Sequence, residues 1–307
     1  MPPDMNLITW NIQWGRGIDG TVDLGRIVRA VREMADFDVL CLQEVAVNFP
    51  GLPGSRGEDQ VAELSRLLPG FSAHFGAATD IAVDKGARRQ FGNLIFSRLP
   101  VLQVFRHLLP WPAAPDVKSM QRIAIEVILQ ASLGPLRVVT THLEYYSPEQ
   151  RMAQVKALRS LHAEACSHTR WPGISGDKGE PFERMPRPAC AILTGDFNFQ
   201  PGSPDYQRLT ARFTDDVPSW VDAWIFNHPG QPHAPTAGVH ENSWAKTPYC
   251  CDFVYVTEDL APQIRGVSID GKTQASDHQP VLLELGQRVA GKTFIGVGRT
   301  MTDSSPA

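Results

Sequence analysis

The sequence predicts one α/β domain, and three observations carry that expectation. Strand-like and helix-like segments alternate along the 307 residues instead of falling into separate blocks. An apolar share of 42% with 20% charged residues belongs to a globular chain able to bury a large core. Strand-like segments also continue on both sides of every loop, so no linker divides the chain, and residues 1–286 are expected to form the domain with 287–307 as a C-terminal tail.

In order, residues 6–11 (NLITWN) read as a strand, and residues 24–34 place Leu24, Ile27, Val28 and Val31 on one helical face. Residues 38–45 (DVLCLQEV) form a short buried strand ending in polar residues, and residues 60–68 a second amphipathic helix. FGNLIFSRLPVLQVFRHL, QRIAIEVILQ and LRVVTTHLE follow as strands. The next helix, residues 147–165, opens on a strong start signal, with Ser147 as N-cap and Pro148 in the first turn. ACAILTGDFN, CDFVYVT and HQPVLLEL complete the strands. Three stretches read as loops: residues 107–119, with Pro110, Pro112 and Pro115; the Gly/Pro-rich insertion 167–188; and residues 227–246, with three His and three Pro. Beyond Gly286 the chain reads as a tail with a small apolar patch around residues 294–297.

A formal net charge of −4 advertises no global attraction for nucleic acid, although a local patch or a metal can supply one. The five cysteines (41, 166, 190, 250 and 251) show no C-x-x-C spacing, and Cys250 and Cys251 read as two free thiols. No secretory signal and no transmembrane-length apolar run is visible, so a reduced, cytoplasmic monomer is expected.

The informative pattern lies at the strand ends. Asn11 closes the first strand, Glu44 ends VLCLQE, His142 ends LRVVTTH, Asp196 and Asn198 end AILTGDFN, Asp252 opens DFVYV, and Asp277 and His278 open the last. Ser276-Asp277-His278 alone would read as a turn. Six strand ends so furnished exceed what capping asks, because caps take Ser, Thr and Asn as readily. Hard oxygen donors with Asn and His suit Mg2+ or Mn2+ rather than zinc. A carboxylate beside a bound water can orient and deprotonate it, and an imidazole can stabilise charge on a phosphoryl oxygen. Together these groups describe metal-assisted hydrolysis of a phosphate ester.

The segments TWNIQW, CLQEV, TTHLE, LTGDFNFQP, CDFVYV and SDHQPV, in that order, resemble the motif series of the endonuclease/exonuclease/phosphatase (DNase I-like) superfamily across residues 6–285. The resemblance implies a four-layer α/β (α+β) sandwich, two β-sheets packed face to face with helices outside. It implies Glu44 as principal Mg2+ ligand, with Asn11 beside the metal and Asp277 in a second metal site or shell. Asp196 would align or deprotonate the attacking water with Asn198 as its neighbour, and His278, oriented by Asp252, would contact the scissile phosphate together with His142. Gln13 departs from the pattern, standing where some abasic-site endonucleases carry an acid.

Asn93 and Arg122 are candidate substrate contacts, Asn93 reading equally as a backbone-supporting amide and Arg122 equally as the partner of a surface acid. Asp222 in VDAW is similar to a motif of the tyrosyl-DNA phosphodiesterase branch and reads also as a helix N-cap. His228, His233 and His240 lack ligand spacing and read as loop residues, and Arg88-Arg89 as a solvated loop. The implied activity is a Mg-dependent phosphodiesterase, foremost a nuclease or DNA-end-processing enzyme acting on a lesion or a 5′ adduct. Its rivals are a phosphatase or phospholipase of a small or lipid phosphoester and a catalytically silent binding module, which would lack one of the site residues. Loops 107–119 and 167–188 are expected to flank the groove and select substrate.

Overall fold

The computed structural model describes residues 5–286 apart from 84–85, 133, 214–215 and 241–246; the expected tail and its apolar patch lie outside the described residues. Twelve strands make two six-stranded sheets. The first sheet runs β11 (Ile264–Ile269), β12 (Val281–Leu285), β1 (Met5–Asn11), β2 (Val39–Val47), β4 (Arg88–Ser97), β3 (Ser72–Ala82). The second runs β5 (Val101–Leu108), β6 (Ile123–Ala131), β7 (Gly134–His142), β8 (Ala191–Asp196), β10 (Asp252–Thr257), β9 (Trp220–Asp222). Only β1–β2 and β7–β8 pair in parallel, and each of these pairs is joined by a helix: α1 (Leu24–Met34) and α3 (Pro148–Arg170). Among the described residues the other α-helices are short: α2 (Gln60–Leu67), α4 (Pro204–Thr210) and α5 (Ala223–Asn227).

Three apolar clusters define four layers. The central one joins inward residues of both sheets, among them Leu7, Val39, Cys41, Ile125, Val138, Ile192, Val254 and Leu283. The opposite faces of β1 and β2 (Ile8, Trp10, Leu40, Leu42) meet Leu24, Ile27, Val28 and Val31 of α1 and Leu64 of α2. Val139, Leu193, Phe253 and Tyr255 meet Val155 and Leu158 of α3 and Leu209 of α4. Alternation of period two assigns each residue its face. The helices start on side-chain caps, Asp23 accepting from Arg26 N, Asp59 from Ala62 N and Ser147 from Gln150 N. Among the described residues no helix is long and apolar enough to cross a membrane.

Toward one end of the space between the sheets the inward series turn polar in step. Leu7 gives way to Thr9 and Asn11, Cys41 to Gln43, Val138 to Thr140 and His142, Ile192 to Thr194 and Asp196, and Val254 to Asp252. Gln43 Nε2 ties this neutral tier together by donating to Thr9 Oγ1 (3.2 Å) on its own sheet and Thr140 Oγ1 (2.9 Å) on the other.

Several expectations are corrected. β3 and β11 are full strands where none was expected. β3 is poor in large apolar residues because it is an edge strand, exposed over much of its length, so no alternation marks it. α3 continues through 170, into the expected insertion. Residues 172–188 then pack against Gln103, Phe105 and Pro135, at the opposite end of β7 from His142, and so do not flank the polar end.

That segment is clipped down by a buried ion cluster. Glu126 accepts from His107 Nε2 (3.2 Å) and Arg187 Nε (3.2 Å) and faces Arg137 Nη1 at 3.7 Å. Burial alone would raise the Glu126 carboxyl, but His107, Arg137 and Arg187 outweigh it and hold the group down at about 2, against 4.5. A depressed folded value gives stability that is present above about pH 4.5 and lost as pH falls through 2. Glu126→Gln is therefore expected to remove on the order of 3 kcal/mol of acid-sensitive stability and flatten the curve between those limits. Urea unfolding of both chains across pH 2–6 tests this; parallel acid limbs would sink it.

Candidate active site

The polar end of the inter-sheet space opens into a cleft of about 600 Å³ lined by Glu44, Arg122, His142, Asp196, Asn198, Asp277 and His278, with Gln13, Trp14, Phe91, Lys118, Met120, Tyr145 and Tyr146 around them. A second cleft, of about 540 Å³ under the 172–188 segment, has neither carboxylate nor thiol in its lining.

Strand register sets out the floor. His142, Asp196 and Asp252 are direct neighbours across β7, β8 and β10, and Asn11 pairs with Gln43 across β1 and β2. Gly195 is required at that point, because its φ is +139° and a Cβ there would collide with the Thr141 carbonyl. Glu44 does not end its strand, as the sequence suggested; β2 runs on to Val47, and Glu44 occupies a bulge. Leu42 pairs with Leu94 and Val45 with Gly92, leaving Gln43 and Glu44 opposite Asn93 alone. Glu44 takes φ = 60° there. Strict alternation would have sent its side chain toward α1; the bulge turns it into the cleft.

Asp196 is the hub. Its Oδ2 accepts from Asn11 Nδ2 (3.0 Å) and its Oδ1 from the Asn198 backbone (2.9 Å). The two imidazoles flank Oδ2, His142 Nε2 at 3.5 Å and His278 Nε2 at 3.8 Å. His278 Nδ1 is held 2.8 Å from Asp252 Oδ2. The imidazoles sit in opposite states. Burial, with Arg122 adding to it, pushes His142 down to about 3, so it is neutral at neutral pH. Burial also opposes charge on His278, but Asp252 and Asp196 outweigh it and raise the group well above the usual imidazole range.

Asn11 also donates to Glu44 Oε1 (3.2 Å), while its own oxygen accepts from the Gln13 backbone (3.1 Å), so it fixes two carboxylates instead of presenting its oxygen to the cleft. Gln13, the departure from the family pattern, donates to Asp277 Oδ2 at 2.7 Å and so joins the site by another chemistry. Ser276 Oγ donates to Asn11 O (2.8 Å) and accepts from His278 N (3.3 Å), tying the turn before β12 to the end of β1. The triplet makes the turn, and that turn places Asp277 and His278 in the lining of the cleft.

Asn198 Nδ2 donates to Leu143 O (2.9 Å), across the β7–β8 ends. Asn93 is 2% exposed and donates to Ile123 O (3.0 Å), the backbone-supporting alternative. Arg122 Nε faces the buried Glu144 at 3.3 Å, while its Nη1 is buried without a hydrogen bond at the cleft wall. Asp222 is the N-cap of α5, accepting from Trp224 N and Ile225 N, and also takes Tyr206 OH (2.9 Å) and His233 Nε2 (2.8 Å). His233 is therefore a half-buried loop residue whose imidazole is paired with Asp222. Of the loop expected at the groove, 107–119, only Lys118 lines the cleft. Tyr145 and Tyr146, exposed beside it, line the cleft although neither was expected among the site residues; two aromatics directly after THLE were the available signal.

A profile of the endonuclease/exonuclease/phosphatase family matches residues 8–278, every residue of this site included. The chain belongs to that family. Its fold is shared with an endonuclease/exonuclease/phosphatase from Beutenbergia cavernae (24% identity, 92% of this chain and 72% of that one, TM-score 0.61). It is shared also with a mannosyl-6-phosphatase from Bacteroides thetaiotaomicron (18%, 92% and 99%, TM-score 0.62) and with truncated Caenorhabditis elegans TDP2 (16%, 92% and 97%, TM-score 0.61). No curated protein matches the chain.

The endonuclease/exonuclease/phosphatase site fits a divalent cation on its own electrostatics. Burial, then Asp277 and Asp196, push the Glu44 carboxyl up to about 7, so the acids crowd one another and a cation between them would relieve the repulsion. Glu44 and Asp277 supply hard oxygen donors of the kind Mg2+ and Mn2+ prefer.

Proposed function

We propose that the chain is a metal-dependent phosphodiesterase, and that a nucleic-acid end or lesion is its substrate. The observation that carries this reading is the Asp196 carboxylate, fixed by Asn11 and the Asn198 backbone between a neutral and a cationic imidazole. Glu44 and Asp277 would hold Mg2+ or Mn2+, whose charge would polarise the phosphoryl group. Asp196 takes the proton of the attacking water, its oxygens aligned by the two amides. His278, kept protonated and oriented by Asp252, donates to a phosphoryl oxygen as charge grows there. His142, neutral, donates or accepts a hydrogen bond without adding charge. Exposed Tyr145 and Tyr146 offer ring faces on which an unpaired base can stack. A small phosphate monoester is the second reading, favoured by the net charge of −4 and by Lys118 and Arg122 being the lysine and arginine that line the cleft.

One cleavage panel separates these readings: abasic duplex, single-stranded DNA, a 5′-phosphotyrosyl oligonucleotide, an inositol polyphosphate, mannose 6-phosphate and sphingomyelin, each with Mg2+ and with chelator. Metal-dependent cleavage of a DNA substrate is the expected result. Turnover confined to monoesters would replace the substrate, and binding that survives chelation with no turnover at all would overturn hydrolysis. Arg122→Lys, which keeps the charge but loses the guanidinium fork, is expected to lower kcat/KM by about ten- to a hundredfold, mainly through KM. Unchanged constants would remove Arg122 from substrate contact.

A further inference from the structure

We propose that Thr236 is a positioning residue, one that sets the distance and angle of the Asp252–His278 pair and so the aim of the His278 ring into the cleft. The two members of that pair come from different sheets. Asp252 opens β10 in the second sheet, and His278 stands in the turn before β12 in the first. Register within either sheet therefore fixes neither the 2.8 Å between Asp252 Oδ2 and His278 Nδ1 nor the direction of the ring. The two strand ends need a tie of their own.

Thr236 and Ala237, both fully buried, supply it. Thr236 Oγ1 accepts from the backbone N–H groups of Asp252 (3.1 Å) and Cys251 (3.1 Å) at the start of β10, which β9 does not reach because it pairs only with Tyr255–Thr257. The Thr236 carbonyl accepts from Gln279 N (2.7 Å), directly after His278. Ala237 exchanges two backbone hydrogen bonds with Tyr249 (3.0 Å each) and forms an antiparallel bridge with His278 itself. One dipeptide thus holds the backbone on both sides of the pair. The segment that carries it is anchored on β9 and α5, where His233 Nε2 meets Asp222 Oδ2 at 2.8 Å and Trp224 Nε1 donates to Pro232 O (3.0 Å). Thr236 does not line the cleft, so it acts on the site only through Asp252 and His278.

The residue type decides the effect. Valine has the shape of threonine without the acceptor, and serine keeps the acceptor without the methyl group. Losing the hydroxyl leaves two buried N–H groups unsatisfied, so the start of β10 relaxes relative to the turn before β12. A misplacement of about an ångström at a reacting group costs on the order of a hundredfold in rate. Thr236→Val is accordingly expected to lower kcat by about ten- to a hundredfold with KM within about twofold of the wild type. Thr236→Ser is expected to stay within about threefold of the wild type in both constants. These effects on turnover rest on the function proposed above, while the setting of the pair does not.

The test reads the pair directly, by proton NMR of the metal-free full chain at one fixed neutral pH. The His278 Nδ1 proton, held between ring and carboxylate, is expected as a strongly downfield resonance that is absent from His278→Asn. It should move upfield or disappear in Thr236→Val and Thr236→Ala and keep its place in Thr236→Ser, with circular dichroism and thermal melting run beside it. A folded Thr236→Val or Thr236→Ala with the wild-type resonance overturns the inference, as does a wild type with no such resonance. Loss of the fold in both variants makes Thr236 a residue of the framework and overturns it equally. A moved resonance with unchanged kcat, on whichever substrate of the panel turns over, overturns the consequence for the rate. A moved resonance in a chain that hydrolyses nothing upholds the positioning and counts against the hydrolytic reading alone.

Discussion

Asp196→Asn is expected to lower kcat about 10³-fold or more, with KM little changed, in any assay that reports turnover. The substitution keeps the shape and removes the base. It also turns one carboxylate oxygen into an NH2 group, and both oxygens now accept hydrogen bonds, from Asn11 and from the Asn198 backbone. One of those donors must then face another donor, at a cost of about 1–3 kcal/mol. Thermal unfolding is measured alongside the kinetics, so that a folded but inactive protein is distinguished from a lost fold. A folded variant within tenfold of the wild-type rate would assign water activation elsewhere.

Glu44→Gln is expected to separate stability from activity in opposite directions. Glu44 sits in a bulge at positive φ, half-buried, and Asp277 and Asp196 raise its carboxyl further. Neutralising it relieves like-charge crowding, so the metal-free variant should melt roughly 1–4 °C above the wild type. Its hydrolysis should fall about 10³-fold, to the level of the chelated wild type, and added Mg2+ should restore neither rate nor further thermal shift. The wild type, stripped by chelator, should regain both on adding Mg2+. A Glu44→Gln protein that still gains stability from Mg2+ would move the hard-ion site away from this residue.

The strands that carry the site were legible because their inward faces are apolar and their last inward residues are polar: Leu7-Thr9-Asn11 and Ile192-Thr194-Asp196 show the change within one period-two series. Glu44 was found by type and motif, but its place was not, since the residue types of VLCLQEVAV carry no mark of the bulge that ends the alternation. β3 escaped because edge strands need no alternation, and β11 because IRGVSI offers a small apolar set interrupted by Gly266. The true position of 172–188 depends on Glu126, Arg137 and Arg187, which meet from separate parts of the chain, and sequence separation hides such meetings. The Asp222–His233 pair was missed for the same reason.

The pairing of β1 with β12 has a consequence for the timing of synthesis. Asn11 and His278 stand at the two ends of the described chain, and the turn that presents His278 is bonded through Ser276 to the Asn11 carbonyl. On a ribosome adding about 5–20 residues per second, the first strand waits tens of seconds for the last before its edge is covered. A nascent chain halted before Ser276 therefore has Glu44, His142 and Asp196 but neither Asp277 nor His278. Under the function proposed above such a chain stays inactive until residues 277 and 278 have been added, and the edge of the first strand is open to chaperones for as long.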